Sequence, residues 1–354
     1  MKLLIPLVSL LIWSTSFAQN DSLDTLSRHR RIAVLPVPAF GYSPETKTYF
    51  GAVCLFNFNF YNDTLTRSSN AKIEFNYSWN KQLILESEWN YFFKAEKWFM
   101  QGLMHFSKYP DRYYGIGANT NDSSELLFQS QRIKLHGSLL KQIAPKLFIG
   151  LGLKYQNYSN LSYFDNLNSF SELKAQQTVG IRFIALQDKR HNLLTPTKGN
   201  YLELSTAINK SETVYSHVFL DARKYFSFSK SFQPVIAFRL YHLSTLGNAP
   251  FYDGAIFGGD KLIRGYFYGR FRDQHSSILQ AEYRMKIVWR FGLAVFGGAG
   301  LIYNSSISLE NFKPNTGIGL RFLVDKKENT FLRFDYAIGK QNQNGFYVSF
   351  GEAF

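Results

Sequence analysis

Residues 72–91 read KIEFNYSWNKQLILESEWNY, and the way their polarity alternates decides the fold. Ile73, Phe75, Tyr77 and Trp79 share one parity, while Lys72, Glu74, Asn76 and Ser78 share the other. Successive side chains of a strand point to opposite faces, so the pattern predicts one apolar and one polar face. After Asn80 and Lys81 the alternation resumes, with Leu83, Leu85, Trp89 and Tyr91 against Gln82, Glu86, Glu88 and Asn90. Two such runs separated by two residues predict an antiparallel hairpin. Alternation alone suits a soluble sandwich and a transmembrane barrel equally, and the choice between them comes from the two ends of the chain.

Lys2 precedes an apolar run from Leu3 to Trp13, and Ser16 and Ala18 place small residues where a signal peptidase reads. Residues 1–18 therefore read as a cleaved secretory signal, the run being shorter than the ~20 residues a spanning helix needs. Cys54 is the only cysteine, which excludes an intramolecular disulfide and a cysteine metal cluster. Beyond the signal there is no long apolar run, yet aromatics reach 17%, with 34 Phe and 22 Tyr. Such a profile suits a barrel whose lipid-facing signal is spread over short strands and aromatic girdles. The last ten residues, GFYVSFGEAF, end in Phe354. The net charge of +14 would point to nucleic acid in a cytosolic protein, but export argues against that partner. Cationic loops or a cationic lumen near anionic outer-leaflet lipid account for it, as does a solvated basic surface.

Extending the alternation along the chain places strands near roughly 33–42, 49–60, 69–79, 82–93, 98–107, 125–141, 146–157, 171–187, 199–209, 214–228, 232–246, 276–289, 291–303, 314–324, 330–340 and 344–353. The predicted fold is all-β, a transmembrane antiparallel β-barrel of about sixteen strands, an even number as single-chain bacterial barrels have. The domain reading is a signal peptide at 1–18, a short periplasmic tail at 19–32 and an outer-membrane barrel at 33–354. With a periplasmic N-terminus, the connection between the eleventh and twelfth strands is the sixth extracellular loop.

That connection contains FGGDKLIRGYFYGRFRD, Phe257 to Asp273. It resembles the arginine-glycine-tyrosine signature in the sixth extracellular loop of the BamA/TamA-like outer-membrane assembly barrels, a superfamily that includes two-partner-secretion transporters. The resemblance implies that the loop folds into the lumen, with Arg264, Gly265 and Tyr266 as its signature and Gly258 and Gly259 as further residues of the loop motif. LQAEYR, Leu279 to Arg284, is similar to the family's next strand and supplies Glu282 as the partner of Arg264. DKRHNLLTPTKGNYLEL, Asp188 to Leu204, is similar to the family's D-x-R and P-x-x-G segment, with Pro196 and Gly199 at the turn. Phe350 and the terminal Phe354 resemble the aromatic assembly signal of outer-membrane barrels, a position expected to lie in the last strand and to bury little.

Two departures from the family stand out. Where its following strand reads F-x-D-x-G, this chain has Phe296, Gly297, Gly298, Ala299 and Gly300, so glycine occupies the carboxylate position. The loss either loosens the loop or shifts the partner of Arg264 to a nearby acid such as Asp335, whose parity with Arg333 points to the lumen, and Gly298→Asp is expected to restore the contact if there is room. The tail is also too short to fold a periplasmic POTRA domain. By resemblance the function is assembly or translocation of proteins, or of lipids, at the outer membrane. The implied partners are outer-membrane lipid, client outer-membrane proteins and periplasmic accessory proteins, with no nucleic acid and no cofactor. The family's mechanism uses an imperfect seam between first and last strands, here about Ile32 to Gly41 and Gly345 to Phe354. Pro36 and Pro38 remove two donors from the first edge, which weakens closure or marks a frayed end.

No nucleophile elbow, zinc-binding helix or phosphate loop is present. The seven histidines are scattered; outer-membrane lipid hydrolases use a serine and a histidine at the lipid-facing rim, and Ser107 with His105 is one such pairing of residue types. The expectation is a barrel that is not an enzyme. A passive pore or structural barrel is the alternative, and an outer-membrane lipid-modifying enzyme is a further one.

Overall fold

The computed structural model describes residues 31–43, 47–61, 66–164, 170–228, 234–325 and 330–354. The expected signal peptide and residues 19–30 of the expected tail lie outside the described residues. Sixteen strands form one antiparallel sheet, each paired with the next. The first eight are β1 (Arg31–Ser43), β2 (Lys47–Asn59), β3 (Ser69–Ser78), β4 (Leu83–Phe92), β5 (Trp98–Tyr113), β6 (Leu126–Ala144), β7 (Leu147–Tyr163) and β8 (Gln176–Asp188). β9 (Gly199–Lys210), β10 (Val214–Ser227) and β11 (Val235–Leu246) follow. A separate two-stranded hairpin, β12 (Ala255–Phe257) with β13 (Phe271–Asp273), then interrupts the order. The large sheet resumes with β14 (His275–Val288), β15 (Phe291–Tyr303), β16 (Phe312–Asp325), β17 (Thr330–Gly339) and β18 (Asn344–Phe350).

Burial along these strands is inverted relative to a soluble protein. On β14, Gln280, Glu282 and Arg284 are 3%, 1% and 6% exposed, whereas Leu279 and Tyr283, of the other parity, are 60% and 43% exposed. The residues that opened the sequence reading behave alike: Ile73, Phe75, Tyr77 and Trp79 are all largely exposed. Scattered exposed apolar residues are ordinary, but a continuous apolar belt around a polar interior requires an apolar solvent. Trp79 and Trp289 lie at hairpin ends, where indoles favour the membrane boundary. No helix among the described residues is long and apolar enough to cross a membrane.

Differences from the sequence reading lie at strand ends. β5 and β7 run six residues past their expected ends, to Tyr113 and Tyr163, and β6 gains three at its end. The extensions continue pairing above the alternating stretch, where the register rather than the apolar pattern carries the ladder. β8 begins only at Gln176, and β18 stops at Phe350.

Candidate functional site

The 28-position connection between β11 and β14 is long enough to return into the barrel, and its local chemistry sends it there. β12 and β13 pair from Ala255↔Asp273 to Phe257↔Phe271 and form its neck. Below the neck, Gly258 and Gly259 take φ of +108° and +90°, so the chain reverses where most L residues are strained. The Gly259 N–H donates to the Tyr266 carbonyl at 3.0 Å. Tyr252 stacks on Tyr158 of β7 with centroids 3.9 Å apart, and Phe251 meets Tyr113, Phe128 and Tyr158 edge-on. Arg270 donates to Thr120 and Asp122 of the neighbouring loop. The connection is thus anchored to the wall at β5–β7 before its tip descends.

At the tip, Arg264 is 1% exposed and lies between two carboxylates. Its Nη2 donates to Glu282 Oε2 of β14 at 2.6 Å and its Nη1 to Asp335 Oδ2 of β17 at 2.5 Å. The guanidinium also sits 3.4 Å from the ring centroid of Phe296 on β15. Burial works against the charge of Arg264, but Glu282 and Asp335 outweigh it and hold the group above its ordinary pKa. Glu282 also accepts from Arg284 at 3.1 Å and Arg321 at 2.7 Å, while Asp335 accepts from Arg321 at 2.6 Å and Arg333 at 3.3 Å. Glu352 and Asp260 bind the outer edge of the cluster, through Arg321 and Arg333. A buried network of this kind fixes geometry, and removing one partner strands charges at a cost of about 3–5 kcal/mol.

The residues beside Arg264 lock it in place. The Gly265 N–H donates to the Tyr347 hydroxyl of β18 at 3.0 Å, and Asn315 of β16 donates to the Arg264 carbonyl at 2.7 Å. Tyr266 donates its hydroxyl to the Pro314 carbonyl and accepts from the Lys340 N–H. Gly265 has φ of +98°, and a Cβ there would fall 2.9 Å from the Ile338 carbonyl carbon, so only glycine lets the tip approach β17. Lys261 reaches across to Glu88 of β4 at 3.2 Å, and that carboxylate raises its pKa against the effect of burial.

Asp335 therefore stands where Gly298 left the second carboxylate missing. Gly298→Asp does not have the expected room, because a Cβ at 298 would lie 2.5 Å from the Leu279 carbonyl oxygen. Sequence reasoning missed Arg321, Tyr347 and Glu352, although parity on β16 and β18 would have put the first two on the inner face. Asp188 of the D-x-R segment is bound bidentately by Arg190, at 2.9 and 3.0 Å, and Pro196 is buried beside Gly199, whose φ is +103°.

A second region lies between β1 and β18. The sheet order runs from one to the other without joining them, and among the described residues no ladder pairs them. β1 is 13 residues long and β18 only 7. The β1–β2 ladder is unbroken from Arg31↔Asn59 to Ser43↔Lys47. Backbone N–H groups alternate between the two sides of a strand, so the proline nitrogens at 36 and 38 must point away from β2, toward the free edge. That edge lacks donors at both positions. Contacts across it come from side chains: the Tyr49 hydroxyl donates to the Val348 carbonyl at 3.0 Å, and Phe350 packs with Leu35 onto Ala39, Val53 and Leu55. A cavity of about 400 Å³ opens on the inner side, lined by Val53, Leu55, Lys72, Glu88, Phe350 and Phe354.

Phe354 corrects the sequence reading. It lies beyond β18 and is 4% exposed, packed with Tyr225 of β10 and Ala237 of β11. Gly351, at φ +75°, turns the chain off the strand, and Arg284 donates to the Phe354 carbonyl at 3.1 Å. The terminal aromatic, expected to lie in the last strand and to bury little, thus leaves the strand and points inward. His105 also faces inward, with Glu86 at 2.9 Å and Ser107 at 3.0 Å, but Ser107 is fully buried and its hydroxyl has no open approach. Among the described residues no group of three or more metal-binding side chains converges.

Residues 54–354, most of the chain, match the Omp85 superfamily domain. The chain belongs to the Omp85 superfamily. It is an outer-membrane β-barrel, which accounts for the inverted burial of its strands. Among solved structures it is similar to BamA from Haemophilus ducreyi lacking POTRA domains 1-3, at 12% identity and a TM-score of 0.58, over 91% of this chain and 70% of that one. It is also similar to CdiB from Acinetobacter baumannii, at 13% identity and a TM-score of 0.54, over 91% and 65% of the two chains. At these identities the likeness is one of fold. No curated protein sequence matches the chain.

Proposed function

We propose that this Omp85 barrel assembles or translocates proteins at the outer membrane through the seam between β1 and β18, with the 247–274 connection as a fixed internal prop. The observation that carries the reading is the unpaired edge of β1, where Pro36 and Pro38 withhold two donors from closure. A free strand edge templates an incoming strand through main-chain hydrogen bonds. The buried arginine network supports the wall next to that edge, so that opening is confined to the seam. In this reading Arg264, Gly265 and Tyr266 position the prop, Gly258 and Gly259 form its bend, and Phe350 covers the seam from inside. Client outer-membrane proteins and periplasmic accessory proteins are the proposed partners.

The test is a tether across the seam. In a Cys54→Ser background, Leu35→Cys and Phe350→Cys joined by a bismaleimide should halt outer-membrane protein assembly in cells depleted of the native chain, while each single cysteine should not. Full complementation by the tethered barrel, with steady ionic conductance, would instead identify a passive pore.

A further inference from the structure

A polar quartet interrupts the outward apolar face of β11 and β14 near the end that carries the long loops. Phe238, Leu240 and Leu246 on β11 and Leu279 on β14 are 44%, 42%, 53% and 60% exposed, and His242, Ser244, His275 and Ser277 share their parity. The register sets His242 opposite Ser277 and Ser244 opposite His275. All four are partly exposed. The sequence carries the signal as two His-x-Ser triplets, 242–244 and 275–277, but only the cross-strand register brings them together.

The hydrogen bonds form one line. Ser277 Oγ lies 2.8 Å from His242 Nδ1, His242 Nε2 lies 3.0 Å from Ser244 Oγ, and Ser244 Oγ lies 2.9 Å from His275 Nδ1. Protons can run along it in either direction. In both arrangements one imidazole accepts the Ser244 proton while the other donates to the same oxygen. His242 is the better-oriented base, because its second nitrogen is held by Ser277. This is the arrangement of nucleophile, base and orienting group that activates a serine, and unlike Ser107 the residue is partly exposed.

We propose that Ser244 is a nucleophile for acyl esters presented by membrane lipid. The substrate class follows from place: Ser244 is two residues from the end of β11 and His275 begins β14, so the quartet lies at the rim of the belt, where lipid ester carbonyls lie. Leu240, Leu246 and Leu279 offer the acyl chains an apolar bed. Ser244 Oγ bonds to the carbonyl carbon and gives its proton to His242 Nε2, while His275 Nδ1–H stabilises the oxyanion. Collapse of the adduct breaks the ester C–O bond, and the departing alkoxide takes the proton from His242. Water then gives a proton to His242 as its oxygen bonds to the acyl carbon, and breaking of the acyl C–Ser244 Oγ bond releases the fatty acid while Ser244 takes the proton back from His242. The reading is independent of the assembly function.

The test uses the full chain purified in detergent micelles, a fluorophosphonate probe and a medium-chain p-nitrophenyl ester. Mass spectrometry of the unmodified protein should map a single adduct to Ser244. Ser244→Ala should abolish labelling and ester turnover, and His242→Ala should lower turnover by about 10²–10⁴-fold, with heat-modifiable gel migration unchanged. Ser107→Ala should label as the parent does. Absence of an adduct on the folded parent, or an adduct on any other serine, overturns the assignment without recourse to a variant.

Discussion

The arginine-bearing wall and the seam are only one strand apart, yet they are held by opposite means. Across β14 to β17, buried carboxylates each gather several guanidiniums, and the loop tip is fixed from both sides. Between β1 and β18, no ladder forms among the described residues, and one tyrosine hydroxyl and a few apolar side chains make the contact. β18 belongs to both regions, since Tyr347 holds the tip while Val348 and Phe350 meet the seam. A barrel can thus place its stiffest and its loosest pairing beside each other, provided the stiff side is secured by side chains that do not depend on closure.

The sharpest way to break the contrast is Glu282→Ala. It removes the carboxylate that Arg264, Arg284 and Arg321 share, so the folded barrel should lose about 3–5 kcal/mol, read as loss of heat-modifiable species at lower urea. Arg264→Ala should cost less. The double variant should cost less than the sum, because the two side chains touch. Additive effects would mean that the ion pairs do not stiffen the wall. Phe354→Ala comes next, at about 3 kcal/mol for a buried phenyl, and should also lower the yield of folded barrel in cells. No effect on either quantity would show that the tail adds nothing to the wall.

The seam should respond in the opposite sense. Pro36→Val with Pro38→Val restores two donors on the free edge, each worth about 0.5–1.5 kcal/mol when paired. The variant should melt higher and show slower amide exchange in β1, while client assembly falls. A higher melting temperature with unchanged assembly would separate closure from function. The smallest expected change is that of Tyr49→Phe, about 1 kcal/mol, visible as faster exchange in β18 without movement of the loop.

Much of this was legible in the sequence, and for a physical reason. Strand alternation is a local property, so sixteen strands followed from parity, and Glu282 falls on the inner face by counting twos from Gln280. What failed to show were features set by pairing between distant segments. β12 and β13 are three residues each and carry no period. The His242–Ser277 contact depends on the β11–β14 register. The inward course of Phe354 depends on one left-handed residue, Gly351, which parity counting passes over.

The prolines of β1 bear on timing as well as on strength. A strand edge that offered every donor would capture a guest segment firmly and release it slowly, because departure would require all the bonds to break. At positions 36 and 38 the edge presents carbonyls without the matching N–H groups, so a guest pairing there gives up fewer bonds when it leaves. If the edge works as proposed, then, since affinity among related complexes is tuned mainly through dissociation, two missing donors would shorten a guest's residence and allow the edge to be used again.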